Sequence, residues 1–276
     1  MLRSRLVLLG CLLAFGLVAG PALGRDPKRD RFGGRDLFVY VPDSAPPPGG
    51  RALVVVLHGG LGNAERIVGG QGGESGLNLD KLADKDGFVV AYLNGTPVTL
   101  RLGDQFLGWN AGGGCCGQSV SSDDERYIAG AVGYLAQTYG VDPSRVFAIG
   151  HSNGAMMAQR MVCDTHVFAA AVAVSGPLNL PATSCPDARG QRVLAIHGAA
   201  DKNVPIAGGR GSEGYSDVAY SSEARSEQVM TGSGASYTLD VVPGAPHRLD
   251  DIDAAMQRTE GVSLAEKALR FFGLAK

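Results

Sequence analysis

The chain has 276 residues, 45% of them hydrophobic and 19% charged, which is enough apolar content for one sizeable core. A formal net charge of −2, with the basic residues scattered, offers no cationic field to hold nucleic acid or an anionic membrane, so neither is expected as a partner. Glycine is in excess, at 41 residues, where average usage would be roughly 7%.

The N-terminus reads as a signal peptide over residues 1–24. Arg3 and Arg5 precede the uncharged, mostly apolar stretch Leu6–Val18, and Ala22 and Gly24 place small residues at −3 and −1 of a cut before Arg25. Acylation at Cys11 would leave too few apolar residues ahead of it. Export of the mature chain, residues 25–276, is therefore expected. No later segment is long and apolar enough to span a bilayer.

In chain order, Asp36–Val41 is expected to be a strand ending at Pro42, followed by a Pro/Gly-rich loop to Gly50. Arg51–Leu57 (RALVVVL) is a β-branched run of the kind buried on both faces of a parallel sheet. Leu79–Lys85 reads as a helix capped by Asn78, and Gly87–Leu93 as the next strand. Ser122–Tyr139 is helical in pattern, with Asp123, Asp124 and Glu125 at its positive end. Strands are expected at Arg145–Ile149, Val167–Val174, Val193–His197 and Tyr237–Val242, and helices at Asn153–Val162, Ser221–Met230 and Leu264–Phe272. This alternation, without repeats or an interdomain linker, implies one α/β domain: a mostly parallel central sheet with helices on both faces.

The strand Arg145–Ile149 runs straight into Gly150-His151-Ser152-Asn153-Gly154, which opens a helix. A G-x-S-x-G between strand and helix is a nucleophile elbow, the hallmark of the α/β-hydrolase fold. The glycines let strand and helix approach closely, and the serine hydroxyl is raised above the sheet at a helix N-terminus. In that fold the acid and then the histidine follow the serine along the chain. Asp201 lies in the loop after the Val193–His197 strand, and His247 follows the last strand in Pro243-Gly-Ala-Pro-His247. Ser152, Asp201 and His247 are the expected catalytic residues, with His247 titrating near the ordinary value of about 6.5. The backbone N–H groups of Asn153 and Gly60 are expected to form the oxyanion hole, with Leu61 as runner-up for the second donor.

The other histidines have plainer readings. His151 packs beside the serine, His166 lies at the surface, His197 braces the acid loop, and His58 ends the strand before the oxyanion loop. Gly69–Ser75 lacks the lysine of a phosphate-binding loop and reads as a flexible segment. Asp250, Asp251 and Asp253 lack calcium-loop spacing and fit a helix start. No cysteine or histidine cluster has zinc spacing, so neither metal nor cofactor is expected.

Four cysteines remain in the mature chain, and four allow three connectivities. Cys163 ends the helix after Ser152 and Cys185 shortly precedes the next strand but one, so both fall at the sheet end away from the serine and are expected to pair. Cys115 and Cys116 are left as a vicinal pair, bridged or free.

LHGG at Leu57–Gly60, GWN followed by CCG within Gly108–Gly117, Asp123-Asp124, GHSNGAMMA at Gly150–Ala158 and HGAADKNVP at His197–Pro205 occur in one order. Together they resemble the polyhydroxybutyrate depolymerase/feruloyl esterase-like family of secreted esterases, over nearly all of the mature chain. The resemblance implies a serine carboxylic-ester hydrolase with Ser152, Asp201 and His247 as its triad and Trp109 near the substrate. Two positions depart from the family pattern. Ile206 stands where an aromatic residue is usual, and Gly244-Ala-Pro-His-Arg-Leu-Asp replaces GGGHxWPG, removing a tryptophan expected to line the site. Short-chain esters and hydroxyalkanoate oligomers are therefore the expected substrates, with feruloyl esters second. A serine peptidase of the same fold and a non-catalytic binding protein on a hydrolase scaffold are the competing readings.

Overall fold

A computed structural model of the chain describes residues 26–99, 105–116, 121–214 and 217–275. The expected signal peptide lies outside the described residues. The apolar, β-branched runs form the middle of one eight-stranded sheet: β1 (Lys28–Phe32), β2 (Arg35–Tyr40), β3 (Arg51–Leu57), β4 (Val89–Leu93), β5 (Val141–His151), β6 (Ala170–Val174), β7 (Arg192–Gly198) and β8 (Ser236–Val242). Their order is β1-β2-β4-β3-β5-β6-β7-β8. The pairs β1/β2 and β2/β4 are antiparallel, and every other neighbour is parallel.

All seven residues of β3 are buried, because helices cover both of its faces. Leu53, Val55 and Leu57 join one core layer with Ile128, Met161 and Met230, contributed by α3 (Asp124–Tyr139), α4 (Asn153–Asp164) and α5 (Glu223–Gly232). Val54 and Val56 face the other layer, with Ile67 of α1 (Ala64–Val68), Ala83 of α2 (Asp80–Asp86), Ile252 of α6 (Leu249–Glu260) and Phe272 of α7 (Leu264–Phe272). The period-2 alternation of strand side chains thus divides one run between two cores. The fold is the α/β architecture the sequence implied.

Element ends shift by local chemistry. α2 starts one residue later than its pattern suggests: Leu79 is its N-cap, while the Asn78 side chain still accepts from Asp80 N at 3.1 Å. Gly87 is the left-handed C-cap of α2, so β4 begins only at Val89. α3 begins at Asp124, with Asp123 accepting from Arg126 N. β1 escapes pattern reading because KRDRF is a charged, largely solvent-facing edge strand.

Connections from β3 lead to β4 on one side, and β5 returns on the other. The C-terminal ends of β3 and β5 are therefore neighbours whose chains diverge, the place where an open α/β sheet leaves a crevice. Cys163 and Cys185 are bonded at the opposite edge, tying the end of α4 to the segment before β7, and Cys115 is bonded to Cys116.

Candidate active site

Ser152 sits between β5 and α4 with φ 53° and ψ −117°, a conformation few side chains adopt, held by its N–H on Val174 O at 2.8 Å. The two glycines of the elbow are required by close approach. A Cβ on Gly150 would stand 2.3 Å from Gly154 O, and one on Gly154 would stand 2.2 Å from Leu57 O. Either substitution would push β3, β5 and α4 apart.

The structure brings Ser152, His247 and Asp201 into one line. Ser152 Oγ lies 3.0 Å from His247 Nε2, and His247 Nδ1 lies 2.7 Å from Asp201 Oδ2. The other oxygen of Asp201 accepts from Asn203 N and Val204 N, both at 2.9 Å, so the acid loop wraps its own carboxylate. Burial opposes this charge, but hydrogen bonds from His197 and His247 hold the Asp201 carboxyl well below the usual range. For His247 burial dominates and pushes its pKa below the ordinary value. The bond to Asp201 resists, and the neighbouring His151 and His197 push the same way as burial. The expected titration near the ordinary value is thus displaced downward.

Gly60 is exposed and lies against Asn153, the first residue of α4. Among the described residues neither backbone N–H is engaged by another group. Leu61, the runner-up donor, has φ 68° and gives its N–H to Leu107 O at 3.0 Å. Gly60 and Asn153 are therefore the pair open to an oxyanion.

The prolyl oligopeptidase family model matches residues 80–188. NocK of Nocardia uniformis subsp. tsuyamanensis, which carries an esterase name, is 34% identical over 169 residues, 60% of this chain and 45% of its own. Feruloyl esterase B of Neurospora crassa is 32% identical over 142 residues, 51% of this chain and 43% of its own. The chain thus spans less than half the length of either relative. Among solved structures, the poly(3-hydroxybutyrate) depolymerase LpqC of Bordetella parapertussis superposes with a TM-score of 0.53 at 16% identity, covering 86% of this chain and 90% of that one. The chain has the α/β-hydrolase fold. Its relatives bear out the resemblance to the polyhydroxybutyrate depolymerase/feruloyl esterase-like family.

One assignment needs correction. Trp109, expected near the substrate, is completely buried. Its indole N–H donates to His58 O at 2.9 Å, and its backbone is clasped by the Asn153 side chain, which accepts from Trp109 N at 2.7 Å and donates to Trp109 O at 3.0 Å. Trp109 therefore braces the oxyanion loop against the elbow and offers the substrate no surface. Leu249, at the position of the family's tryptophan beside the histidine, is also fully buried, as the first residue of α6. That position does not line the cleft here either.

His58 is buried with Nδ1 at 2.7 Å from Gly59 O and Nε2 accepting from Gly95 N at 3.0 Å, so the proton is on Nδ1. Burial lowers its pKa, as suits a neutral ring. His197 braces the acid loop as expected, but as a cation. Its Nδ1 faces Glu223 Oε1 at 2.8 Å, and its Nε2 faces Val204 O at 2.9 Å and Asp201 Oδ2 at 3.2 Å. Burial opposes the charge, yet the two carboxylates raise its pKa to about 9.

Two acids escaped sequence reading: Glu223, and Glu74 from the glycine-rich loop. Glu74 Oε1 accepts from Gly59 N at 2.8 Å and from His151 Nδ1 at 2.7 Å, while His151 Nε2 donates to His247 O at 2.9 Å. Burial works against both charges, but the hydrogen bond and mutual attraction prevail, lowering the Glu74 pKa and raising that of His151. The pair ties the oxyanion loop, the elbow and the backbone of His247 together from behind.

Proposed function

We propose that this α/β hydrolase is a secreted serine carboxylic-ester hydrolase, with residues 1–24 as its leader and 25–276 as its catalytic domain. The observation that carries the reading is the hydrogen-bond chain from Asp201 through His247 to Ser152 Oγ, beside two open backbone donors. In the proposed mechanism His247 takes the Ser152 proton as Oγ attacks the acyl carbon. The N–H groups of Asn153 and Gly60 hold the oxyanion. His247 then gives the proton to the departing alcohol, and a water activated by the same ring releases the acid. Asp201 keeps the imidazole oriented and stabilises its charge. No step calls for a metal or cofactor.

Soluble short-chain esters and hydroxyalkanoate oligomers are the proposed substrates, with feruloyl esters second, in line with the esterase names among the relatives. A peptidase reading is favoured by the prolyl oligopeptidase family match. The deciding test is a panel of aryl esters and aminoacyl anilides, run with wild type and Ser152→Ala. Ester turnover and fluorophosphonate labelling should both vanish in the variant, with kcat down on the order of 10⁶. Anilides outrunning esters would make it a peptidase. Failure of the wild type to label would make the fold a binding scaffold.

A further inference from the structure

On the His247 side of the crevice a cavity of about 650 Å³ is lined by Arg66, Gly73, Lys202, Glu213, Arg248 and His247, among others. Three of these side chains are cations. Glu213 answers Lys202 at 3.2 Å, and Asp251, also on the cavity wall, stands 3.9 Å from Arg248. Arg66 meets no acidic partner among the described residues, so the cavity carries one surplus positive charge.

The glycine-rich loop, read from the sequence as merely flexible, seats the two arginines. Gly72 and Gly73 have φ of 81° and 79°. A Cβ on Gly72 would lie 3.0 Å from Arg66 Nε, and one on Gly73 would lie 2.8 Å from Arg248 Nη2. Each guanidinium therefore rests against a bare Cα, where an added Cβ would make it shift. Direction follows from the chemistry. His247 delivers its proton to the departing oxygen, so the alcohol half of the ester lies on the side that His247 shares with this cavity.

Building on the esterase reading above, we propose that Arg66 and Arg248 form an anion subsite for the leaving alcohol, so that the preferred substrates are esters whose alcohol half bears a free carboxylate. Guanidinium groups suit that role because their forked donors match a carboxylate's two oxygens. The arginine heads are solvent-exposed, so the preference is modest and sensitive to salt.

The test compares 3-(butanoyloxy)butanoate with its neutral primary amide, both releasing butyrate. Wild type should favour the carboxylate in kcat/KM by about fivefold at low salt. The ratio should fall towards one in about 0.5 M NaCl and in an Arg66→Ala/Arg248→Ala protein. Taking the ratio within one protein cancels any loss transmitted through His247. A ratio at or below one, with the amide still turned over, overturns the subsite and leaves the esterase reading standing. A high ratio that survives the double substitution also overturns it, by placing the anion elsewhere. Turnover of neither ester would sink the esterase reading and the subsite with it.

Discussion

Replacing Glu74 by Gln keeps the side chain's size and one acceptor oxygen while removing its charge. In the wild type Oε1 alone takes both the Gly59 N–H and the His151 Nδ1–H, and His151 uses its other proton on His247 O. An amide oxygen could accept the same two donors, but it gives no counter-charge to an imidazolium with only 8% of its side chain exposed. His151 must then shed a proton, and one ring nitrogen turns a lone pair on an acceptor. Breaking a buried pair by removing one partner costs about 3–5 kcal/mol, and the retained Gly59 bond puts Glu74→Gln near the lower end.

The sign with pH follows from the two shifts. Glu74 is held below its ordinary pKa, so its contribution is present above the carboxylate range and lost as pH falls through its folded value. His151 is held above its ordinary pKa, so its contribution is complete below about 6.5 and declines as pH rises from there through its folded value. The difference in unfolding free energy between wild type and Glu74→Gln, measured in urea, should be widest between about pH 5 and 6.5 and narrow as pH rises through the folded value of His151. Aryl-ester kcat/KM should fall on the order of 10²-fold, because the His247 backbone loses its anchor and a misplacement of about 1 Å is that costly. The acid limb should also move up, since a positive His151 no longer opposes protonation of His247. A stability difference that does not decline as pH rises above about 6.5 would refute the ion pair.

Asp201→Asn should lower kcat by about 10⁴, because Asn cannot hold the productive histidine tautomer, and a loss under about tenfold in steady-state assays would contradict the orienting role. Ester kcat/KM should rise with pH through an apparent pKa below about 6.5, since His247 acts as a neutral base and burial lowers its pKa, and an acid limb above that value would count against the site's electrostatics. Removing the Cys163–Cys185 bond with a double alanine substitution opens a loop of sequence separation 22 and should cost about 3 kcal/mol, read as a Tm drop of roughly 6–12 °C by calorimetry.

What could be read in the sequence was local, or ordered by the fold. The RALVVVL run announces a strand buried on both faces, and the elbow announces itself by sitting between strand and helix. Once the elbow is placed, the order of elements alone brings Asp201 and His247 to the same sheet edge as Ser152, and Cys163 and Cys185 to the other. The partners that tune the site leave no such trace. Glu74 meets His151 across 77 positions, from a loop with no periodicity, and Glu223 meets His197 across 26 from what looks like an ordinary first helical turn. Residue type misled at Trp109. An aromatic beside a cleft serves equally as wall or as brace, and only its indole N–H on a backbone carbonyl decides for the brace.

The buried acids and histidines make sense as one charge system. At rest Glu74, Asp201 and Glu223 are anions, His151 and His197 are cations held by acceptors on both ring nitrogens, and His247 is neutral, which leaves a net charge of −1 (two positive, three negative). Such a charge in a largely buried cluster is unfavourable unless something answers it. In the proposed mechanism the proton His247 takes from Ser152 brings these side chains to neutrality, while the negative charge passes to the oxyanion held by the Asn153 and Gly60 N–H groups. Burial first, and then the cations at His151 and His197, work against a proton on His247 beforehand, and Asp201 favours the proton when it arrives. Glu74 holds the charge on His151, Asp201 and Glu223 hold that on His197, and both rings add to the burial that keeps the His247 pKa down. On the proposed mechanism the stabilisation is concentrated in the transition state and withheld from the resting state.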